Sequence, residues 1–222
     1  MADKMELIRQ RHSVRQYQDK KIPADIREQL DAFASELNSK GDLHIQILYD
    51  EPECFNTRMA HYGKFENANN YIAMVGKKSP DLEERCGYFG EQLVLKAQEL
   101  GLNTCWVALT HGKSKAEVAP DEKEAIIISL GYGKTQGNSR KSKTSSEVSN
   151  LTSNSPEWFK KGIEAALLAP TATNQQKFKF ELSGSNSVSV KAGLVGVCLK
   201  IDLGIVKCHF EIGAGKQNFQ WE

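Results

Sequence analysis

The chain has no long apolar run, no surplus of one charge and no paired-cysteine motif, and each absence removes a class of protein. No stretch approaches the roughly 20 apolar residues that cross a bilayer, so no membrane partner is expected. The 29 lysines and arginines are balanced by 28 acids, which gives no whole-molecule field for nucleic acid or an anionic surface. The five cysteines (Cys54, Cys86, Cys105, Cys198, Cys208) are odd in number and lack Cys-x-x-Cys spacing. That argues against a disulfide framework and a zinc knuckle, and for reduced thiols. His44, His61 and His111 have no ligand-like spacing, so no metal is expected. The opening Met-Ala-Asp-Lys lacks the apolar region and small-residue cleavage site of a secretory signal, and the expected location is the cytoplasm. What is present is ordinary globular composition, 40% apolar and 26% charged, in 222 residues expected to form one domain.

Apolar spacing predicts the elements. Ile26, Leu30, Phe33 and Leu37 form one stripe of a helix over 25–37 that Gly41 closes. Leu43, Ile45 and Ile47 alternate as a strand, and 50–70 is an irregular polar loop before a buried strand at 71–75. A long helix over 83–100 carries Phe89, Leu93, Ala97 and Leu100, with Gly101 suited to a left-handed stop. The small residues Gly87, Gly90 and Ala97 leave room for a helix or a flat ring to come close to its backbone. "TCWVAL" (104–109) reads as a strand, Ser114 to Glu117 as a capping box opening a short helix, and "AIIISL" (125–130) as a central strand.

Residues 134–155 are rich in Ser, Thr, Asn, Gly and Lys and read as a linker between half 1 (1–133) and half 2 (156–222), mobile unless a ligand orders it. Ser155-Pro156-Glu157 is a helix start with a capping hydroxyl. "KFKFEL" and "SVSVK" alternate as strands, "LVGVCLKI" (194–201) reads as a buried strand, and Asp202 caps a last helix. Helix, strand, strand, helix thus occurs in both halves, which suggests an internal pseudo-duplication. The fold class expected is α+β, a mixed sheet flanked by helices.

Chemistry concentrates in "RHSVRQY" (11–17). Arg11, Ser13 and Arg15 share a side if the segment is extended, whereas in a helix Arg11 and Arg15 share a face. Either geometry brings two guanidinium forks and a hydroxyl toward one phosphate, and the competing reading is a solvated charged turn. Cys208-His209 are adjacent on a helix and point about 100° apart, so they read as packing residues rather than a catalytic pair. "GYGKTQG" lacks the Gly-Lys-Ser/Thr ending of a phosphate loop. Trp106 and Trp158 lie at element edges and read as core, and the run Arg140-Lys141-Ser142-Lys143 as solvated, or folded over a phosphate.

"RHSVRQY" followed by "IP" and a helix resembles the signature opening the FMN-dependent nitroreductases. "APTATNQQKFKFEL" (169–182) is similar to that family's Ala-Pro-Ser-x-x-Asn-x-Gln block, "QELGLNTCWVAL" to its Leu-Gly-Leu-x-x-x-Trp stretch, and "IISLGYGK" to its Leu-Gly-Tyr strand end. The block containing Asn174 follows the second-half helix instead of the first, an order that resembles the subgroup with both half-sites in one chain, and Lys177-Phe178 replace that block's Pro-Trp. The resemblance implies a nitroreductase-like fold and non-covalent FMN, either as a monomer or as a homodimer. It also implies NAD(P)H as co-substrate and a small-molecule electron acceptor such as a nitroaromatic or quinone. The expected cofactor-binding set is Arg11, His12, Ser13, Arg15, Trp106, Val107, Ala108, Lys134, Arg140, Pro170, Thr171, Asn174 and Gln176, in which Lys134 and Arg140 enter as linker charges for the phosphate rather than by resemblance. No protein acid or base is required, because the chemistry is the cofactor's. Two alternatives stay open: a flavin-binding sensor or storage module with little turnover, and an anion-binding protein whose arginines hold a nucleotide.

Overall fold

The computed structural model describes residues 3–222. In chain order these form α1 (Lys4–Gln10), α2 (Ala24–Gly41), β1 (Gln46–Leu48), α3 (Arg58–Tyr62), β2 (Asn70–Lys77), α4 (Leu82–Glu99), β3 (Asn103–Val107) and β4 (Glu122–Gly131). There follow α5 (Ser145–Val148), α6 (Glu157–Leu167), a 3-10 turn (Ala172–Asn174), β5 (Phe178–Ser183), β6 (Ser187–Ala192), α7 (Leu199–Ala214) and β7 (Gln220–Trp221). The chain divides into two compact units, each discontinuous in sequence.

The first unit, Gln10–Leu82 with Gln92–Ser139, is built on a four-stranded antiparallel sheet in the order β1-β2-β4-β3. β4 is central, as its isoleucine run predicts: Ile126, Ile127, Ile128 and Leu130 are buried, and the strand pairs with β2 and β3. Tyr17, Phe55, Phe65, Tyr71, Val75 and Val107 are among the buried residues of the core cluster here. α2 presents Leu30, Ala34 and Leu37 to the interior, and its left-handed terminal residue is Asp42 (φ 46°), one position beyond the predicted glycine. At the end of α4 the predicted stop is found, with Gly101 at φ 78°.

Two expectations in this unit fail for local reasons. The 114–117 segment is not helical, because its amides are taken elsewhere: Lys115 N–H donates to the Tyr71 hydroxyl at 2.8 Å and Glu117 N–H to Gln46 Oε1 at 2.8 Å. Ser114 donates to the Glu124 carboxylate. The irregular 50–70 region contains α3, opened by the Thr57 hydroxyl, which accepts from Ala60 N–H at 3.2 Å.

The second unit comprises the described residues through Arg9, Glu83–Glu91 and Arg140–Glu222. Its sheet runs β5-β6-β7, antiparallel then parallel, so the mixed pairing lies here. An aromatic core fills it: Phe180 stacks on Phe210 with centroids 4.7 Å apart, and Phe219 and Trp221 lie 5.1 and 5.5 Å from Phe210. Trp158 stacks on Phe219 at 5.8 Å, in keeping with a packing role. The close approach to α4 that its small residues foretold is made by α7: a Cβ on Gly87 would lie 2.1 Å from the Ile201 carbonyl oxygen.

Four expectations are corrected in this unit. Residues 194–198 are not a buried strand; Leu194, Val195 and Val197 are exposed and α7 already begins at Leu199, its left-handed preceding residue being Cys198 (φ 52°). Gly196 interrupts that apolar run and denies it a continuous face to bury. Asp202 therefore does not cap α7; it lies inside the first turn. The Ser155 hydroxyl does not cap α6 either, because it accepts from Thr152 N–H at 3.0 Å within its own turn. Residues 145–148 of the expected linker form α5, opened by a reciprocal Thr144–Glu147 capping box. The element order is α2-β1-α3-β2-α4 in the first half and α6-β5-β6-α7 in the second, with β6 in the place expected for 194–201.

Candidate functional site

In the first unit, α1 ends at Gln10 and the chain turns extended, which decides between the two geometries open for Arg11, Ser13 and Arg15. The segment is bonded along its length: Val14 N–H to Thr104 O at 3.0 Å, Tyr17 N–H to Glu66 O at 2.9 Å and Gln18 N–H to Tyr132 O at 2.8 Å. Tyr17 anchors it from below, its hydroxyl lying 2.7 Å from both the Val14 carbonyl and Ser129 Oγ. Arg11, Ser13 and Arg15 all influence the Cys105 thiol of β3. Burial pushes that thiol up, while the Arg15 charge, a Ser13 hydrogen bond and the Arg11 charge pull it down. Arg11 is only 4% exposed, which a solvated charged turn does not explain. Ser13 and Arg15 are exposed, so the cluster has a buried end and an open end.

The neighbouring predicted residues fall around this strand. Gly137 (φ 78°) closes on it so tightly that a Cβ there would lie 2.7 Å from His12 Cβ and 3.1 Å from the Ser13 carbonyl. Lys134 N–H donates to Gln16 O at 2.9 Å and its ammonium pairs with Glu66. Trp106 and Val107 end the edge strand β3, half-buried and buried, and Ala108 follows them exposed. A cleft of about 200 Å³ in the same unit is lined by Tyr17, Lys20, Asp50, Asn67 and Asn70 among others, and by none of the predicted cofactor residues.

The remaining predicted residues lie in the second unit. Pro170 is buried and Thr171 half-buried at the mouth of a loop in which Thr173, Asn174 and Gln176 have φ of 52°, 56° and 45°. Such values are rare for side chains bearing a Cβ, and rarest for a β-branched one such as threonine. The loop is tied down by segment 140–144. Asn174 Nδ2 donates to Lys141 O at 2.8 Å, and Gln176 is buried with its amide fully engaged. Arg140 donates to the Leu167 and Ala169 carbonyls at 3.1 and 2.5 Å, neutralising the carboxyl end of α6. Within the basic run Arg140 thus serves a helix end, while Lys141 and Ser142 are exposed.

Two residues that sequence reasoning missed carry the electrostatics of this unit. Asp202 accepts from Ala172 N–H at 2.9 Å and Gln175 Nε2 at 2.7 Å, and burial raises its carboxyl to about 6 against those bonds and the Arg140 charge. Glu91, fully buried, meets His209 Nε2 at 2.8 Å while Nδ1 lies 3.1 Å from Ala165 O, so His209 is a polar tie between helices rather than plain packing. Glu91 falls on the small-residue face of α4, four positions from Gly87, and a charge on a face reserved for close packing was the available signal. No group of three His, Cys, Asp or Glu side chains able to hold a metal occurs among the described residues, and none of their helices is long and apolar enough to cross a membrane.

The profile of the family described as "Putative TM nitroreductase" matches residues 3–214. A "putative nitroreductase" structure from Thermotoga maritima is similar at 24% identity and TM-score 0.69, covering 96% of this chain and 83% of that one. A "Putative NADH dehydrogenase/NAD(P)H nitroreductase" from Parabacteroides distasonis gives 17% and 0.53 over 69% and 99%. A "putative nitroreductase in complex with fmn" from Desulfovibrio desulfuricans gives 15% and 0.51 over 70% and 99%. At these identities the likenesses establish the fold. None of the curated proteins compared with the chain matches it.

Proposed function

Because this chain belongs to the "Putative TM nitroreductase" family, whose profile spans nearly all of it, we infer that it is an FMN-dependent oxidoreductase. In this reading it accepts electrons from NAD(P)H and passes them to a small acceptor such as a nitroaromatic or quinone. The observation that carries the reading is the extended segment of Arg11, Ser13 and Arg15, bridged to β3 at Thr104 and carrying a buried guanidinium at Arg11. Two cations, one of them buried, and a hydroxyl on one extended strand make a donor set that fits a dianionic phosphate ester. Arg11, held in low-dielectric surroundings, is the stronger electrostatic partner, and Arg15 at the open end is the adjustable one.

FMN, when bound, supplies the redox chemistry, accepting hydride from the nicotinamide and delivering electrons to the acceptor. The chain's own work is to bind and orient. Lys134, now paired with Glu66, would add a positive charge for the phosphate, and by resemblance the main chain of Trp106 to Ala108 would contact the ring. His12, Pro170, Thr171 and Asn174 belong to the set by resemblance. Gln176, being buried, acts from behind, and Arg140 through the helix end it holds.

The test is spectroscopic. Purified protein mixed with FMN is expected to bind it stoichiometrically, and anaerobic NADH or NADPH to bleach the flavin bands. Binding without bleaching by either nucleotide leaves a flavin-binding module and overturns the enzyme reading. Failure to bind FMN overturns both.

A further inference from the structure

The buried amide of Gln176 stands where segment 140–144 meets the 171–176 loop, and its orientation is forced. Lys143 N–H donates to Gln176 Oε1 at 3.0 Å; a backbone N–H only donates, so the amide oxygen must face it. Nε2 is thereby turned to the Lys141 carbonyl at 3.1 Å and to Asn174 Oδ1 at 3.0 Å. Since Asn174 Oδ1 receives that donor, Asn174 Nδ2 is the group facing the Lys141 carbonyl, at 2.8 Å. The Gln176 main chain is held as well, its N–H by Thr171 Oγ1 at 3.0 Å and its carbonyl by Lys143 Nζ at 2.8 Å. These bonds hold Thr173, Asn174 and Gln176 in the left-handed region, which each leaves readily once the ties are cut.

We propose that Gln176 and Lys143 form a latch that sets the amide orientation of Asn174 before any ligand arrives. Gln176 is a positioning residue in this account and does not touch the cofactor. The part that concerns the cofactor rests on the FMN reading above.

Gln176→Glu separates position from packing. It keeps the length and the acceptor toward Lys143 but has no N–H for Asn174 Oδ1 or the Lys141 carbonyl, so Asn174 must turn its own Nδ2 to the new carboxylate. In the FMN-free chain, the Asn174 side-chain amide resonances are expected to move, as Nδ2 exchanges a carbonyl acceptor for a carboxylate. FMN affinity is expected to fall about tenfold in both Gln176→Glu and Lys143→Met, with a shift of the bound flavin's absorption band, and Lys143→Arg to restore both. The half-buried Lys143 pair keeps the test valid if Gln176→Glu folds poorly. Wild-type affinity and an unshifted band in the Gln176 and Lys143→Met variants overturn the latch alone. A wild-type chain that binds no FMN overturns the FMN reading and the cofactor half of this inference with it.

Discussion

Gly204→Ala, on α7, adds a single methyl where the structure leaves no space for one. A Cβ at Gly204 would stand 2.0 Å from the Glu84 carbonyl oxygen and 2.6 Å from the Tyr88 nitrogen, both backbone atoms of α4. Ordinary non-bonded contact needs about 3.5 Å, so the two helices would have to part by roughly 1.5 Å along a seam that Gly87 makes equally tight from the other side. A gap of that size forfeits much of the dispersion energy of every contact on the seam. Intrinsic helix propensity favours alanine by about 1 kcal/mol, while overpacking costs about 1–3 kcal/mol and more where the obstacle is backbone rather than a side chain that can turn away. The balance is a loss of about 2 kcal/mol. Equilibrium urea unfolding followed by tryptophan fluorescence measures it, since Trp158 and Trp221 report on this unit. The exposed Ser35→Ala on α2 serves as a control expected to change stability by less than about 0.5 kcal/mol. A Gly204→Ala protein as stable as wild type would refute the packing argument.

Three further outcomes are expected. Asp202 has a carboxyl raised from 3.8 to about 6, chiefly by burial. A raised carboxyl favours the folded state when protonated, so its contribution is complete below about pH 4 and is lost as pH rises to about 6. Urea midpoints of wild type and Asp202→Ala measured across that window should converge or cross as pH rises; a constant difference would remove the assignment. Of the five thiols, Cys198 is half-buried and the other four are buried, with Cys54 pushed up to about 12 by burial. An Ellman titration of the native protein should therefore show one fast thiol and the rest only on unfolding, and a second fast thiol would contradict the burial. Thr173→Gly removes a β-branched side chain from φ 52° and should raise stability by about 1 kcal/mol, read as a shift in urea midpoint, if the strain is real.

Periodicity served well where the chain buries a single continuous face. The α2 stripe, the long α4 with its Gly101 stop and the isoleucine run of β4 all follow from apolar spacing, because one strong pattern outweighs local alternatives. It failed where backbone groups found partners far away in sequence. Nothing local foretells that Tyr71 and Gln46 take the amides of 115 and 117. In 194–198 an apolar composition was mistaken for burial, although Gly193 precedes it and Gly196 interrupts it. The candidate site was legible to a similar degree. The alternation of Arg11, Ser13 and Arg15 was visible as one of two geometries, and the extended one is found. Arg140 was assigned by charge alone, and charge alone does not distinguish a phosphate ligand from a helix end. Gln176 and Lys143 were invisible as a pair, because their bond depends on two segments some thirty residues apart meeting with left-handed backbone.

The most direct test of the account is a titration of FMN into the purified chain and into its Arg11→Ala variant, followed by quenching of flavin fluorescence. Loss of a charged hydrogen bond held by a buried guanidinium is expected to cost about 1.5–3 kcal/mol, a rise of roughly ten- to a hundredfold in the dissociation constant. Equal affinity of the two proteins for FMN would contradict the assignment of this strand to the cofactor's phosphate.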